Sequence, residues 1–519
     1  MLKRLTTIQK TAVLLFVGLS GIYICLSSGA ISGQGYTAEE IDSGLRMLSV
    51  TTAWMKGHPV PPMVWSRHGP LPVLFDLPFL KLGKRIVSPD FMLSFQPGLL
   101  TAGLITILFL WLRKICSPAM SLFLTFTAAF GTMLWPYAYI SLETKQSFFV
   151  LLAGYLALSN GKIYRWPRLL LFAASCGLAL SLKMTGIILW PVIAYLIYLQ
   201  FGDSWRERRS QLLAVILVIG AIWVFSHWGT NQYWRTRSAA GHLGAWVIDT
   251  WLQYFVNVIG IFGSPTKGLF VYCPILLASL AAVPRAFRSN RNLVIFALLL
   301  TACTIAFTSI LINPGADGWG PRYLHATVAP LILCIGVAWP TFSWRRNALL
   351  VALAAVGFAI SLLGAFYYYG QRDFAMKAAE QNTVEWEDGD LVWNAITFHA
   401  RLFRVWLHES SSRPVLWAPK HIWQWTPPPD FIAWKTIDLR DYCQPQSFMV
   451  RFWHVPKTGI VLPIFATYFS SLVLGLLMLA WVVVRTMKEQ RAHFAGEVDM
   501  EAKAARDLSS ADVVGGGAS

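Results

Sequence analysis

The chain has 519 residues, 55% of them hydrophobic and only 13% charged, with a mean hydropathy of +0.52. Such values exclude a disordered chain, a secreted disulfide scaffold and an ordinary cytosolic enzyme, and they indicate an integral membrane protein. The 43 Lys and Arg exceed the 26 Asp and Glu, an imbalance that in a polytopic protein is assigned first to topology and only then to nucleic acid.

Runs near 20 apolar residues predict about twelve membrane spans, at roughly 11–31, 95–112, 118–138, 146–161, 168–182, 185–201, 210–228, 268–284, 292–312, 324–342, 347–369 and 459–484. The first follows Lys3, Arg4 and Lys10 but is long and lacks a convincing cleavage site, so it reads as a retained helix. Alternate loops are basic: Arg113/Lys114, Lys162/Arg165/Arg168, Arg206/Arg208/Arg209, Arg285/Arg288/Arg291, Arg345/Arg346 and Arg485/Lys488/Arg491. By the positive-inside rule these loops and both termini are cytoplasmic. The predicted organisation is a membrane module at 1–369 that includes an outer loop at 32–94, a Trp-rich external segment at 370–458, a last span at 459–485 and a cytoplasmic tail at 486–519.

The outer loop carries amphipathic pieces such as Ile41–Trp54, suited to the membrane surface. It also carries Glu39, Glu40 and Asp42. A carboxylate there can act as a general base on an acceptor hydroxyl; the same acids also suit a solvated helix N-terminus. Further on, Trp135-Pro-Tyr-Ala-Tyr-Ile-Ser-Leu-Glu143 places a carboxylate at a span boundary, facing either a polar cavity or a partner such as Lys145. Lys183 interrupts apolar sequence at the same level and invites an anionic ligand or a buried carboxylate.

Gly263-Ser-Pro-Thr-Lys-Gly-Leu-Phe-Val-Tyr-Cys-Pro274 joins a turn, Lys267 and a helix start. It fits a phosphate site or a plain re-entry turn. Asp317-Gly-Trp-Gly-Pro-Arg-Tyr-Leu324 sets Arg322 at another outer mouth, for bidentate phosphate binding or for pairing with Asp317. The 370–458 segment holds Trp386, Trp393, Trp406, Trp417, Trp423, Trp425, Trp434 and Trp453 around Pro427, Pro428 and Pro429. That composition suits a small external domain resting on the membrane, or interfacial packing.

Six of the seven cysteines, Cys25, Cys116, Cys176, Cys273, Cys303 and Cys334, fall in or beside apolar spans, and Cys443 lies in the polar segment. No disulfide framework or CxxC metal site results. The sequence also lacks a Walker A loop, an HExxH helix, a GxSxG elbow and a GxGxxG fingerprint.

In this order the motifs resemble the GT-C class of polytopic glycosyltransferases, in particular bacterial, phospholipid-carrier-dependent, protein-mannosyltransferase-like (family 39-like) members. The resemblance spans most of residues 1–345. It rests on the Glu39/Glu40/Asp42 cluster, Ser66-Arg-His-Gly-Pro70 with His68, Leu77-Pro-Phe-Leu-Lys-Leu-Gly83, the Glu143 segment, Lys183, Ser264–Pro274 and Gly318–Leu324. It implies an all-α GT-C-like fold in a bacterial plasma (inner) membrane. It also implies inverting transfer of a hexose or pentose from a polyprenyl-phosphate carrier to a glycan, lipid or protein acceptor on the periplasmic or exterior face.

Membrane lipids are then the other partner, and nucleic acid is not one. The family's base is the first acid of an Asp-Glu pair in the first outer loop, where this chain has Glu39-Glu40; spacing to Gly57 favours Asp42, so all three are nominated. The resemblance implies lipid-phosphate or sugar binding by Arg322, Lys183, Lys267, Glu143, His68, Tyr323 and Tyr272. No cofactor is required; some members of the class use a divalent metal, and the sequence shows no ligand set for one. A transporter or flippase of a lipid-linked sugar shares the cationic site but predicts internal repeats, and none is seen. A membrane scaffold is the third reading.

Overall fold

The computed structural model describes residues 6–27, 69–86, 92–139, 141–159, 161–236, 250–264, 267–311, 319–344, 347–366, 396, 399–400, 403, 415–419, 434–438 and 466–492. These residues form a helical bundle of a multi-pass membrane protein. Its helices are α1 (Thr7–Leu26), α2 (Pro70–Ile86), α3 (Gln96–Ile115), α4 (Pro118–Phe130), α5 (Ser141–Leu158), α6 (Trp166–Ser181), α7 (Trp190–Phe201), α8 (Arg209–Thr236), α9 (Trp251–Gly263), α10 (Leu277–Ser289), α11 (Arg291–Thr308), α12 (Val328–Ala338), α13 (Ala348–Phe366) and α14 (Ala466–Ala492). Each of the twelve predicted spans overlaps a helix.

Among the described residues, six helices are long and apolar enough to cross a membrane: Thr7–Leu26, Gln96–Ile115, Arg209–Thr230, Arg291–Thr308, Ala348–Phe366 and Ala466–Ala492. Two of the predicted spans are interrupted by local chemistry. Predicted span 118–138 stops at Phe130 and resumes as a 3-10 turn at Pro136–Tyr139. Predicted span 268–284 breaks into a single turn at Leu269–Tyr272, a 3-10 turn at Pro274–Leu276 and α10. A proline inside a helix removes a backbone donor and clashes with the preceding turn, so these breaks fall where the sequence places Pro136 and Pro274.

The helix ends follow the chemistry of capping. Thr6 and Gln9 form a reciprocal capping box at the start of α1. The Ser117 hydroxyl accepts from the Met120 N–H with Pro118 just inside α4, and Asn290 caps α11. Several hydroxyls within the spans are satisfied locally: Thr125 donates to the Ser121 carbonyl at 2.6 Å, Thr301 to Ala297 at 2.7 Å and Thr304 to Leu300 at 2.8 Å. In an apolar solvent this back-bonding is what makes a buried hydroxyl tolerable.

The last helix closes against the first. A methyl group at Gly21 would collide with the Ser471 carbonyl and come within 3.0 Å of Gly475 Cα. Small residues therefore let α1 and α14 approach closely, which is how apolar helices gain packing when lipid offers no hydrophobic drive. The Tyr468 and Ser27 hydroxyls bond at 3.2 Å at one end of this pair, and Arg113 meets Glu489 at 2.9 Å at the other.

Basic side chains mark one end of the bundle. Lys114 donates to the Ser159 carbonyl at 3.2 Å, Arg208 binds the Gln200 and Ile163 carbonyls, and Arg285 lies over Trp339 at 5.7 Å. The opposite end carries the helix breaks.

At that end the beginning of the Trp-rich segment packs onto the bundle, with His399 stacked on Trp319 at 4.9 Å and Phe403 edge-on to Phe366 at 5.3 Å. The segment also contributes β1 (Val415–Pro419) and β2 (Trp434–Asp438), an antiparallel pair in register from Val415↔Asp438 to Pro419↔Trp434. These are the strands among the described residues, an addition to an otherwise helical chain. The amphipathic piece Ile41–Trp54, Cys443 and the tail beyond Ala492 lie outside the described residues.

Candidate active site

Three helix boundaries converge at the end of the bundle opposite the basic residues. Helix α5 begins at Ser141, so Glu143 sits in its first turn, where the partial positive charge of the helix N-terminus favours a carboxylate. Lys183 lies between the end of α6 and the 3-10 turn Met184–Leu189, in extended conformation. Arg322 opens the 3-10 turn that leads into α12.

One oxygen of Glu143 collects both cations. Oε1 accepts from Lys183 Nζ at 2.8 Å and from Arg322 Nε at 2.7 Å, and the three side chains are 3–6% exposed. Such a triad survives burial only because opposite charges meet at hydrogen-bond distance; removing one partner of a buried pair costs about 3–5 kcal/mol. Tyr323 adds its ring, with the Lys183 ammonium 4.4 Å and the Arg322 guanidinium 5.8 Å from its centroid.

Backbone geometry aims Arg322. Gly320 has φ +68°, and a Cβ there would lie 2.7 Å from the Tyr272 ring, so glycine is required both for the left-handed turn and for the close approach. Tyr272 is fully buried and meets Trp319 edge-on at 5.3 Å. The two sequence segments Gly263–Pro274 and Asp317–Leu324 thus meet in space through Tyr272, Trp319 and Gly320.

A small cavity of about 20 Å³ opens beside the triad, room for about one water. Its polar walls are Glu143, Gln146, Ser147, Lys183, Tyr323 and His325, with Thr185 and Thr304 beside them. Among the described residues, Glu143 Oε2 and His325 Nε2 are buried polar atoms with no hydrogen-bond partner.

The predicted residues Glu143, Lys183, Arg322 and Tyr323 come together, and Tyr272 supports them from behind. Lys267 is half-buried in the turn before Gly268, whose own N–H is taken by the Ser264 carbonyl at 2.7 Å. Lys267 and Tyr272 do not line the cavity. Glu39, Glu40, Asp42, His68 and Asp317 lie outside the described residues.

Arg322 meets Glu143, while the alternative pairing with Asp317 falls on a residue outside the described ones; Lys145, the other cation weighed as a partner for Glu143, does not pair with it. Lys145 instead points to α2, where its ammonium meets Asp76 Oδ1 at 2.7 Å with both side chains fully buried. Gln96 donates to the same oxygen at 2.7 Å and to the Phe75 carbonyl at 2.9 Å.

Sequence reasoning missed Asp76, Gln96, Ser147 and His325. An acid within the apolar run Pro70–Leu80 was the available signal for Asp76. Among the described residues no group of three or more His, Cys, Asp or Glu is arranged to hold a metal ion.

No protein-family model matches the chain, and no curated protein matches it. Among solved structures the chain is similar to the crystal structure of ArnT from Cupriavidus metallidurans in the apo state, at 14% identity and a TM-score of 0.47, covering 91% of this chain and 77% of that one. The likeness is too distant to assign an activity.

Proposed function

We propose that this multi-pass membrane protein is a GT-C-type glycosyltransferase that moves a monosaccharide from a polyprenyl-phosphate carrier to a glycan, lipid or protein acceptor, with inversion at the anomeric carbon. The observation that carries this reading is the convergence of Glu143, Lys183 and Arg322 beside a polar cavity at one end of the bundle. Two buried cations at one point favour an anionic group, and the terminal nitrogens of a guanidinium match phosphate oxygens in bidentate geometry. As the sugar leaves, negative charge grows on the departing lipid phosphate, and fixed cations in a dry site stabilise it strongly. Glu143 holds both cations in place.

The remaining roles extend the same chemistry. One carboxylate of Glu39, Glu40 or Asp42 takes the acceptor proton as its oxygen attacks the anomeric carbon. His68, Lys267 and Tyr272 are assigned to binding of the lipid phosphate or the sugar in this reading. The reaction needs no cofactor in this scheme.

Orientation rests on charge. Arg113, Lys114, Arg208 and Arg285 gather at the end of the bundle away from Glu143. Helix α5 separates Glu143 from Ser159 by roughly 24 Å at 1.5 Å per residue. The positive-inside rule then places the basic end and both termini in the cytoplasm and the site at the periplasmic or exterior face of a bacterial plasma membrane, where lipid-linked donors serve.

The test is release of free polyprenyl phosphate from a panel of polyprenyl-phosphate monosaccharides, using purified protein and a crude envelope extract as acceptor. Wild type is expected to release it, with loss in Arg322→Ala and in one of Glu39→Gln, Glu40→Gln or Asp42→Asn. Movement of the intact lipid-linked sugar across the membrane, unchanged in those acid variants, would replace the transferase with a transporter.

A further inference from the structure

His325 is 1% exposed and lines the same cavity as Glu143 and Lys183. Its Nδ1 lies 2.7 Å from the Ser147 hydroxyl oxygen, and that hydroxyl also lies 2.7 Å from the Glu143 backbone carbonyl. A carbonyl only accepts, so the single hydroxyl proton of Ser147 goes to Glu143. The contact to His325 is then a hydrogen bond only if Nδ1 carries the proton and donates it to the Ser147 oxygen. In a neutral imidazole this leaves the lone pair on Nε2. That atom is buried and has no partner among the described residues.

The ring is braced as well as polarised. Tyr137 packs edge-on against it at 5.4 Å, and the 3-10 turn Arg322–Thr327 ties it to Arg322 one turn earlier. A buried acceptor left unmade costs free energy comparable to a lost hydrogen bond, so its persistence at a cavity wall points to a ligand donor. The cavity has room for about one water, which is also the room needed by one hydroxyl group.

We propose that Ser147 holds His325 with its Nε2 lone pair towards the Glu143 cavity, where it accepts a hydrogen bond from one hydroxyl of the transferred sugar and so selects the donor. The inference rests on the transferase reading. His325 contributes to specificity by recognising a hydroxyl that a deoxy sugar lacks, since a site built around a polar contact discriminates against analogues without the donor.

The experiment measures kcat/KM for the most active polyprenyl-phosphate monosaccharide and for the series of its monodeoxy analogues, in wild type and in His325→Asn. Asparagine keeps a donor near the position of Nδ1 and lacks an acceptor near Nε2. For one deoxy position wild type should lose roughly 3- to 10-fold, the range of a single neutral hydrogen bond. His325→Asn should lose a similar factor with the parent donor and nothing further with that deoxy analogue. His325→Gln, whose amide oxygen reaches the Nε2 position, should recover part of the loss.

Equal deoxy penalties in wild type and His325→Asn at every position would overturn the proposal and leave His325 as packing. Absence of turnover of every donor by wild type would instead overturn the transferase reading and take this inference with it. Melting temperatures of the variants identify any loss that comes from misfolding.

Discussion

Helix α5 carries two buried ionic clusters only two residues apart, and they are built differently. At Lys145 the ammonium, the Asp76 carboxylate and an amide from Gln96 meet between α2, α3 and α5 with no exposure of either charge. At Glu143 two cations share one carboxylate oxygen, a tyrosine ring lies under them, and a polar cavity adjoins. Burial of charge alone therefore says little about function. The difference lies in the surroundings: the Lys145–Asp76 contact ties α5 to α2, whereas the Glu143 cluster borders a polar cavity.

The largest effect should come from breaking the second cluster without touching the first. Arg322→Ala is expected to lower polyprenyl-phosphate release by about 100- to 1,000-fold, the usual result of removing a donor from developing negative charge. Retained monodisperse protein in detergent would show that the loss is chemical. Glu143→Gln should also abolish most release, because the amide no longer holds both cations in place.

The first cluster should respond in stability. Lys145→Ala leaves the Asp76 carboxylate buried and uncompensated, for a cost of about 3–5 kcal/mol, read as a lower melting temperature. The double change Asp76→Leu with Lys145→Met should restore most of that stability, because apolar side chains of similar volume avoid the desolvation of both charges. Gln96→Ala is a milder break, about 1–3 kcal/mol, since it removes one donor from a buried acceptor. The exposed pair Lys162–Asp203, at 3.3 Å with side chains 29% and 87% exposed, is the control. Lys162→Ala should shift stability by less than about 1 kcal/mol, because solvent already screens such pairs.

The sequence was more informative about elements than about partners. Long apolar runs, capping residues and basic loops are local signals, and each of the twelve expected spans overlaps a helix. Helices α2 and α9 were not anticipated as elements: α2 carries Pro78 and the charged run Lys81-Leu-Gly-Lys-Arg85, and α9 is only 13 residues long.

Glu143, Lys183, Arg322 and Tyr323 were legible as polar residues at span boundaries. Their mutual contacts were not, because which cation meets which carboxylate depends on how three helix ends dock. Lys145 shows the limit: from sequence it is the nearest cation to Glu143, yet side chains two apart on a helix do not share a face. His325 was missed because histidine in an apolar stretch carries no periodic signal, and its meaning appears only with Ser147 one helical turn after Glu143.

The most direct test of the account is equilibrium binding of radiolabelled polyprenyl phosphate to the protein in lipid nanodiscs. Wild type and the Asp76→Leu/Lys145→Met double variant should bind alike, and Arg322→Ala should bind at least ten times more weakly. Equal binding by Arg322→Ala and wild type would contradict the assignment of the Glu143, Lys183 and Arg322 cluster as the lipid-phosphate site.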